Sequence, residues 1–375
     1  MNISMIKCLL TNTLLLFFRM SIKSLFHSCW NKNNSFLNLP KLIMSKILNL
    51  LTMEDIKTLS LVSRKMNEEI SDPILWRKFH LCFKSVDWRS SSKALNSGKF
   101  RFIENIYFEN INCDKIETMI EVIMSFEYLK SVDFTGTQFS SGSLHPVSED
   151  IITILIQNVQ TLYLQDCNLT VNQLSVIFQN IQTEGKLKHL YIGLNRFNEL
   201  NPLSFSNGVN LKTFHCENCN ITPLQLHCFL QRIEENNALT DLNLSGNLMS
   251  EINSSLLSRS LRKIKYINVW NVRADFNEFF MDIFMGLECF VEKLFIGNNS
   301  FRNIPPHILA HVIAKMNTAD MNRCSMKDSQ LNSLIKMLRC NSNNLKHLVL
   351  GGIVDEKIKC LFREAAAHLD KFEMY

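Results

Sequence analysis

LTDLNLSGNLM, residues 239–249, sets leucine at 239, 242 and 244, asparagine at 247 and methionine at 249. With Leu239 counted as position 1, apolar residues stand at 1, 4, 6 and 11 and a small polar residue at 9. The frame recurs from Val159 (Leu162, Leu164, Cys167, Leu169), Leu187 (Leu190, Ile192, Asn195, Phe197), Leu211 (Phe214, Cys216, Cys219, Ile221) and Val291 (Leu294, Ile296, Asn299, Phe301). Weaker copies begin at Ile103, Leu129, Ile264, Met316 and Leu345, and a fragment begins at Leu369. Successive starts lie 24 to 30 residues apart. Such spacing marks an array of like units, none of which buries its apolar face alone.

Within each unit, positions 4 and 6 alternate on a short strand and point into a core, while Asn or Cys at 9 stands at the turn that leaves it. The return path has room for a helix. Leu174, Ile177, Phe178 and Ile181 follow helical spacing, as do Leu226, Phe229, Leu230 and Ile233, and Leu331, Leu334, Ile335 and Leu338. Thr222-Pro223 supplies a cap and a first turn. The pattern resembles the leucine-rich repeat, LxxLxLxxN/CxL. That resemblance implies an α/β solenoid over residues 101–375, about ten repeats, with parallel strands on a concave face and helices on the convex one.

The composition suits an ordered chain. Of 375 residues, 46% are hydrophobic, with only 11 glycines and 7 prolines. A net charge of +5 is spread without long basic runs, which argues against nucleic acid. Twelve cysteines are too few for a disulfide scaffold, and several fall at repeat positions, which favours a reducing compartment, cytoplasmic or nuclear. Residues 1–36 read as a disordered leader. The apolar run Cys8 to Phe18, between Lys7 and Arg19, has the profile of a targeting signal but is too short to span a bilayer, and no membrane association is expected.

A second dense stretch precedes the array: LPKLIMSKILNLLTMEDIKTLSLVSRKMNEEISDPILWRKFHL, from Leu39 to Leu81. Pro40 suits a first helical turn, and Ile43, Ile47, Leu48 and Leu51 follow at helical spacing. Thr52 and Asp55 announce a second helix with Ile56, Leu59, Val62 and Met66 as its stripe. Ser71-Asp72-Pro73 opens a third that carries Leu75, Trp76 and Phe79. Three helices this short cannot bury so much apolar surface among themselves, which implies a protein contact. Leu39, Pro40, Ile47, Leu51, Asp55, Leu59, Leu61, Val62, Ser63, Arg64, Asp72, Pro73, Leu75 and Trp76 stand in the register of an F-box, which this stretch resembles. Residues 37–82 would form that module and 83–100 a linker. The resemblance implies docking on a Skp adaptor, and through it a cullin ubiquitin ligase, by Leu39, Pro40, Ile43, Ile47, Leu51, Leu59, Val62, Ser63 and Trp76.

Chemistry is hard to find in the rest. His215, Cys216 and Cys219 imitate half a zinc site, but the repeat frame already places both cysteines in the core and no second pair stands at ligand spacing. His307 and His311 share a helical face without the intervening Glu of a metalloprotease. Asn-x-Ser/Thr sequons at Asn168, Asn220 and Asn298 arise from Asn-rich repeat turns. No phosphate loop, nucleophile elbow or paired carboxylates appear, so no catalytic residue, metal or cofactor is expected.

Position 5 points out of the strand face, and down the array it reads Tyr107, Asp133, Tyr163, Tyr191, His215, Asn243, Asn268, Phe295, Asp320 and Val349. Aromatic and arginine side chains anchor protein partners, which makes Tyr163, Tyr191, His215, Trp270, Phe295 and Arg323 the candidates for a protein substrate on the concave face. Lateral packing between strands would also favour such aromatics. The function expected is therefore a substrate-recruiting adaptor of a ubiquitin ligase. Two other readings stand beside it: an intracellular repeat scaffold of the ribonuclease-inhibitor type, and a secreted recognition protein if the leader is a signal peptide.

Overall fold

A computed structural model describes Glu68 and residues 80–84, 102–109, 116–140, 147–181, 185–236, 238–340 and 344–375. Two compact units divide the chain: residues 1–81, 93–105 and 126–128 form the first, and 82–92, 106–125 and 129–375 the second. Almost all described residues belong to the second unit, which carries the repeats. Of the F-box-like stretch, only Glu68, which is helical, and residues 80–82 are described.

Twelve strands form one sheet in chain order: β1 (His80–Lys84), β2 (Asn105–Glu109), β3 (Ser131–Asp133), β4 (Thr161–Tyr163), β5 (His189–Tyr191), β6 (Thr213–His215), β7 (Asp241–Asn243), β8 (Tyr266–Asn268), β9 (Lys293–Phe295), β10 (Thr318–Met321), β11 (His347–Leu350) and β12 (Lys371–Met374). From β3 to β12 every pairing is parallel. Each strand from β2 onward starts two residues after one of the eleven repeat starts read from sequence, the weak copies included. β1 adds a strand ahead of the Ile103 copy and straddles the 82/83 boundary between module and linker.

From β2 onward a helix fills each return: α1 (Ile116–Met124), α2 (Glu149–Asn158), α3 (Val171–Asn180), α4 (Pro202–Phe205), α5 (Pro223–Glu235), α6 (Ser254–Leu261), α7 (Asn277–Phe284), α8 (Pro306–Lys315), α9 (Asp328–Arg339) and α10 (Glu356–Ala365). Their apolar stripes meet the inward side chains of the strands. Register stacks Val132, Leu162, Leu190, Phe214, Leu242, Ile267, Leu294, Ala319 and Leu348 in one fully buried column. Burial of each large member contributes about 1.5 to 3 kcal/mol. The result is an open α/β array with strands on one face and helices on the other.

Two devices carry the strand ladder through the turns. Position 8 is left-handed in nine consecutive repeats, from Gly136 through Asp166, Leu194, Asn218, Gly246, Asn271, Asn298 and Arg323 to Gly352, with φ between 52° and 78°. In the first eight of them its N–H donates to the position 7 carbonyl of the next repeat, as from Asp166 to Gly193 O at 3.0 Å and from Asn298 to Asn322 O at 2.7 Å. At position 9, Asn247 is buried; its amide donates to Cys216 O (2.9 Å) and Leu244 O (3.0 Å), while its oxygen accepts from the N–H groups of Cys219 and Ile221. Asn195 and Asn299 make equivalent bonds. Cys167, Cys219 and Cys324 replace the amide by a thiol that donates to the preceding repeat, at Phe134 O, Ile192 O and Ile296 O.

The repeats alternate in kind. Those starting at Val159, Leu211, Ile264 and Met316 carry Cys167, Cys219, Val272 and Cys324 at position 9, and Gln165, Glu217, Trp270 and Asn322 at position 7. Those that follow each of these carry Asn195, Asn247, Asn299 and Ile353 at position 9, and Gly193, Ser245, Gly297 and Gly351 at position 7. Three of the first kind also bury a glutamine at the third residue of the helix. Gln173, Gln225 and Gln330 accept from the cap N–H groups of Thr170, Thr222 and Lys327, and each donates back to a carbonyl of the preceding repeat. Such caps contribute about 1 kcal/mol each.

Candidate binding face

The outward residues of the strands form the open face of the sheet. Position 5 runs in register as Asp133, Tyr163, Tyr191, His215, Asn243, Asn268, Phe295, Asp320, Val349 and Glu373. Strand spacing brings neighbours in that row into contact. The Tyr163 and Tyr191 rings stack with centroids 4.3 Å apart and planes 11° from parallel. The His215 ring meets Tyr191 edge-on at 4.7 Å. Behind it, His215 Nε2 is 2.9 Å from Asp241 Oδ1, which fixes the ring by a charge-assisted bond whenever the imidazole is protonated. Burial, then Tyr163 and Asp241, push the Tyr191 phenol up to about 12, so it stays a neutral donor at physiological pH.

Glu217 completes this half of the face. Its side chain reaches back across β5 over Gly193, where a Cβ would stand 2.3 Å from Glu217 Cδ. The carboxylate accepts from Gln165 Nε2 at 3.3 Å and Asn243 Nδ2 at 3.2 Å. Beside it His189 Nδ1 is bonded to Thr213 Oγ1 at 2.9 Å, and burial, helped by Lys212, holds the His189 imidazole below its ordinary range.

In the other half three lysines already have partners. Lys293 Nζ lies 4.8 Å above the Tyr266 ring, Lys265 pairs with Glu292 at 3.4 Å, and Lys371 pairs with Glu373 at 2.6 Å. Trp270 lies over Gly297, whose absent side chain leaves room for the indole. Burial raises the Asp320 carboxyl, with Glu373 adding to the effect and the Asn322 N–H opposing it.

Of the six residues expected on this face, Tyr163, Tyr191 and His215 form one contiguous cluster, and Phe295 stands in the same row further along. Trp270 follows β8 at position 7 and covers the neighbouring repeat. Arg323 is displaced: it occupies a left-handed turn residue beyond β10 (φ 56°), exposed at the rim of the sheet. Position 5 alone misses Asp241 at position 3 and Gln165 at position 7. Period-2 alternation, applied to all three outward positions, finds both.

The metal-like clusters have other roles. Cys216 and Cys219 are buried in the core, and burial raises both thiols. His307 and His311 lie on α8, edge-on to Phe284 at 5.5 and 5.2 Å. Among the described residues, no group of His, Cys, Asp and Glu is arranged to hold a metal, and no helix is long and apolar enough to cross a membrane.

Leu39, Pro40, Ile43, Ile47, Leu51, Leu59, Val62, Ser63 and Trp76 lie outside the described residues. Residues 36–82 match the F-box-like family model. No curated protein matches the chain. Among solved structures, a chain of the Rad7–Elc1 complex from yeast is similar at 14% identity and a TM-score of 0.51, covering 89% of this chain and 85% of that one. The leucine-rich repeat-containing protein LegL7 from Legionella pneumophila is similar at 12% identity and a TM-score of 0.43, covering 79% of this chain and 90% of that one. The chain therefore carries an F-box-like match at residues 36–82 and shares the fold of its array with the Rad7–Elc1 structure.

Proposed function

We propose that this chain is the substrate-recruiting subunit of a Skp/cullin/F-box ubiquitin ligase. The F-box-like helices hold the Skp adaptor and through it a cullin, and the open face of the sheet holds the protein to be ubiquitinated. The observation that carries this reading is the union of an F-box-like match at residues 36–82 with a repeat array that presents a continuous row of aromatic and polar side chains. That the similar Rad7 structure was solved as a complex with Elc1 supports a role in assembly.

The chain does no bond chemistry in this account. It tethers substrate near a charged conjugating enzyme, raising the local concentration of substrate lysines to about the millimolar range reached through short linkages. Cytoplasm or nucleus is the compartment proposed, where the thiols at position 9 stay reduced.

The test is capture of a purified Skp adaptor by the full chain and by a variant carrying Leu39→Ala, Pro40→Ala and Trp76→Ala. Capture should fall at least about tenfold in the variant, since apolar anchors dominate such interfaces. Capture that survives the triple substitution overturns the proposal.

A further inference from the structure

The outward positions of β3 through β8 carry three carboxylates, Asp133, Glu217 and Asp241, and no lysine or arginine. Asp241 is matched by His215. Asp133 and Glu217 have no ion pair among the described residues. Asp133 accepts only the Thr135 N–H at 2.8 Å, and Glu217 only two neutral amides at 3.2 and 3.3 Å, which leaves lone pairs of both carboxylates to solvent. On the opposite half of the sheet, the outward cations Lys293 and Lys371 already have an aromatic ring or a carboxylate beneath them. Asp320 on β10 has no ion pair among the described residues either, so open carboxylates stand at two places on this face, and the one at β3 to β6 holds Asp133 and Glu217.

That place has an aromatic wall. Asp133 is the direct register neighbour of Tyr163, whose other side stacks on Tyr191. One face of Tyr163 is spent on Tyr191, and the other is turned along the row toward Asp133. A planar cation fits this arrangement better than a point charge, because a guanidinium can stack on a phenol ring and still present in-plane N–H groups to a carboxylate. Gln165, two residues past Tyr163, holds the Glu217 carboxylate on the trailing side of the same rings. Lys130, Lys188 and Lys212 precede β3, β5 and β6, so positive charge on the chain itself collects along the leading side of the strands. A partner's cation is therefore directed away from that side, toward Asp133 in the middle of the row and Glu217 on the trailing side.

We propose that the open face at β3 to β6 is a docking surface for an arginine-bearing segment of a partner protein, with one guanidinium stacked on Tyr163 and paired with Asp133, and Glu217 as the second anionic contact. This deepens the proposed function, resting on the reading of that face as the substrate surface, and names a basic segment as what the substrate presents there.

The test uses the full chain, held in complex with a Skp adaptor where the adaptor binds it. Fluorescence anisotropy at about 0.15 M salt measures binding of octa-arginine, octa-lysine and octa-glutamate peptides. Octa-arginine should bind most tightly. Asp133→Asn combined with Glu217→Gln should weaken it by at least about tenfold, the effect of removing two charged contacts. Tyr163→Leu should erase the preference for arginine over lysine while leaving the melting temperature of the chain unchanged within a few degrees. Tighter binding of octa-glutamate, or octa-arginine binding that Asp133→Asn with Glu217→Gln leaves unaltered, overturns the proposal. Loss of the adaptor interaction with arginine binding intact would instead overturn the ligase reading and leave this surface standing.

Discussion

Glu217 lies across Gly193, close enough that a Cβ at residue 193 would stand 2.3 Å from its Cδ. Trp270 lies across Gly297 in the same sense, but there the Asn322 carbonyl oxygen also stands 2.7 Å from the absent Cβ. The two glycines should therefore respond differently. Gly193→Ala meets the end of a flexible side chain that can swing away, so stability should change by less than about 1 kcal/mol while Glu217 leaves Gln165 and Asn243. Gly297→Ala presses on backbone and should cost about 1 to 3 kcal/mol, read by urea denaturation. Equal costs would show that the close approaches are not what selects glycine.

Asn247 tests the position 9 ladder. Asn247→Ala leaves the Cys216 and Leu244 carbonyls and the Cys219 and Ile221 N–H groups without that partner in the core. Chemical denaturation should show a loss of about 2 to 4 kcal/mol. Asn247→Cys should lose less, because Cys167, Cys219 and Cys324 show that a thiol can still donate across the repeat boundary. A neutral alanine variant would contradict the ladder.

The Asp320 carboxyl sets a pH dependence with a definite sign. Burial raises it above its ordinary value of 3.8, so the folded chain holds this proton more tightly than the unfolded one. Stability from this group is present at low pH and is lost as pH rises through the folded value. Asp320→Asn, which keeps an oxygen for the Asn322 N–H, should then stabilise the chain at neutral pH and give no gain below pH 3.8. Thermal melts of both proteins across that range check it, and a gain that grows toward low pH would reverse the sign.

Thiol reactivity separates core from surface. Burial pushes Cys324 up to about 12 and raises Cys167, Cys216 and Cys219 as well, whereas Cys340 and Cys360 are exposed. Among the described thiols, iodoacetamide on the native chain should label Cys340 and Cys360 first, and the four buried ones only after unfolding, as peptide mass spectrometry would read out. Early labelling of Cys216 or Cys219 would argue for a mobile or metal-linked site.

Much of this was legible without coordinates because the signals are local and repeated. A leucine every second or third residue fixes which way each strand faces, and eleven copies reinforce one another until the weak ones at Ile264 and Met316 fall into place. The helical stripes at Leu226 and Leu331 were equally plain. The two-repeat alternation escaped because it resides in glycine, cysteine and asparagine at turn positions, whose roles differ only once a neighbour is packed beside them. β1 escaped for a related reason: no leucine frame marks residues 80–84, and its place comes from the sheet it joins.

Sequence by itself determined the class of the molecule: an F-box-like module ahead of a parallel strand and helix array, with Tyr163, Tyr191 and His215 facing outward. Tertiary structure decided what that face is. It moved Arg323 to a turn, laid Glu217 over Gly193, and matched Asp241 to His215 while leaving Asp133 and Glu217 without a cation. The periodic pattern fixes direction because each side chain alternates with its own backbone. Contacts between side chains 24 to 30 residues apart depend on strand register and on the space a neighbour leaves, and neither is set until the repeats stack.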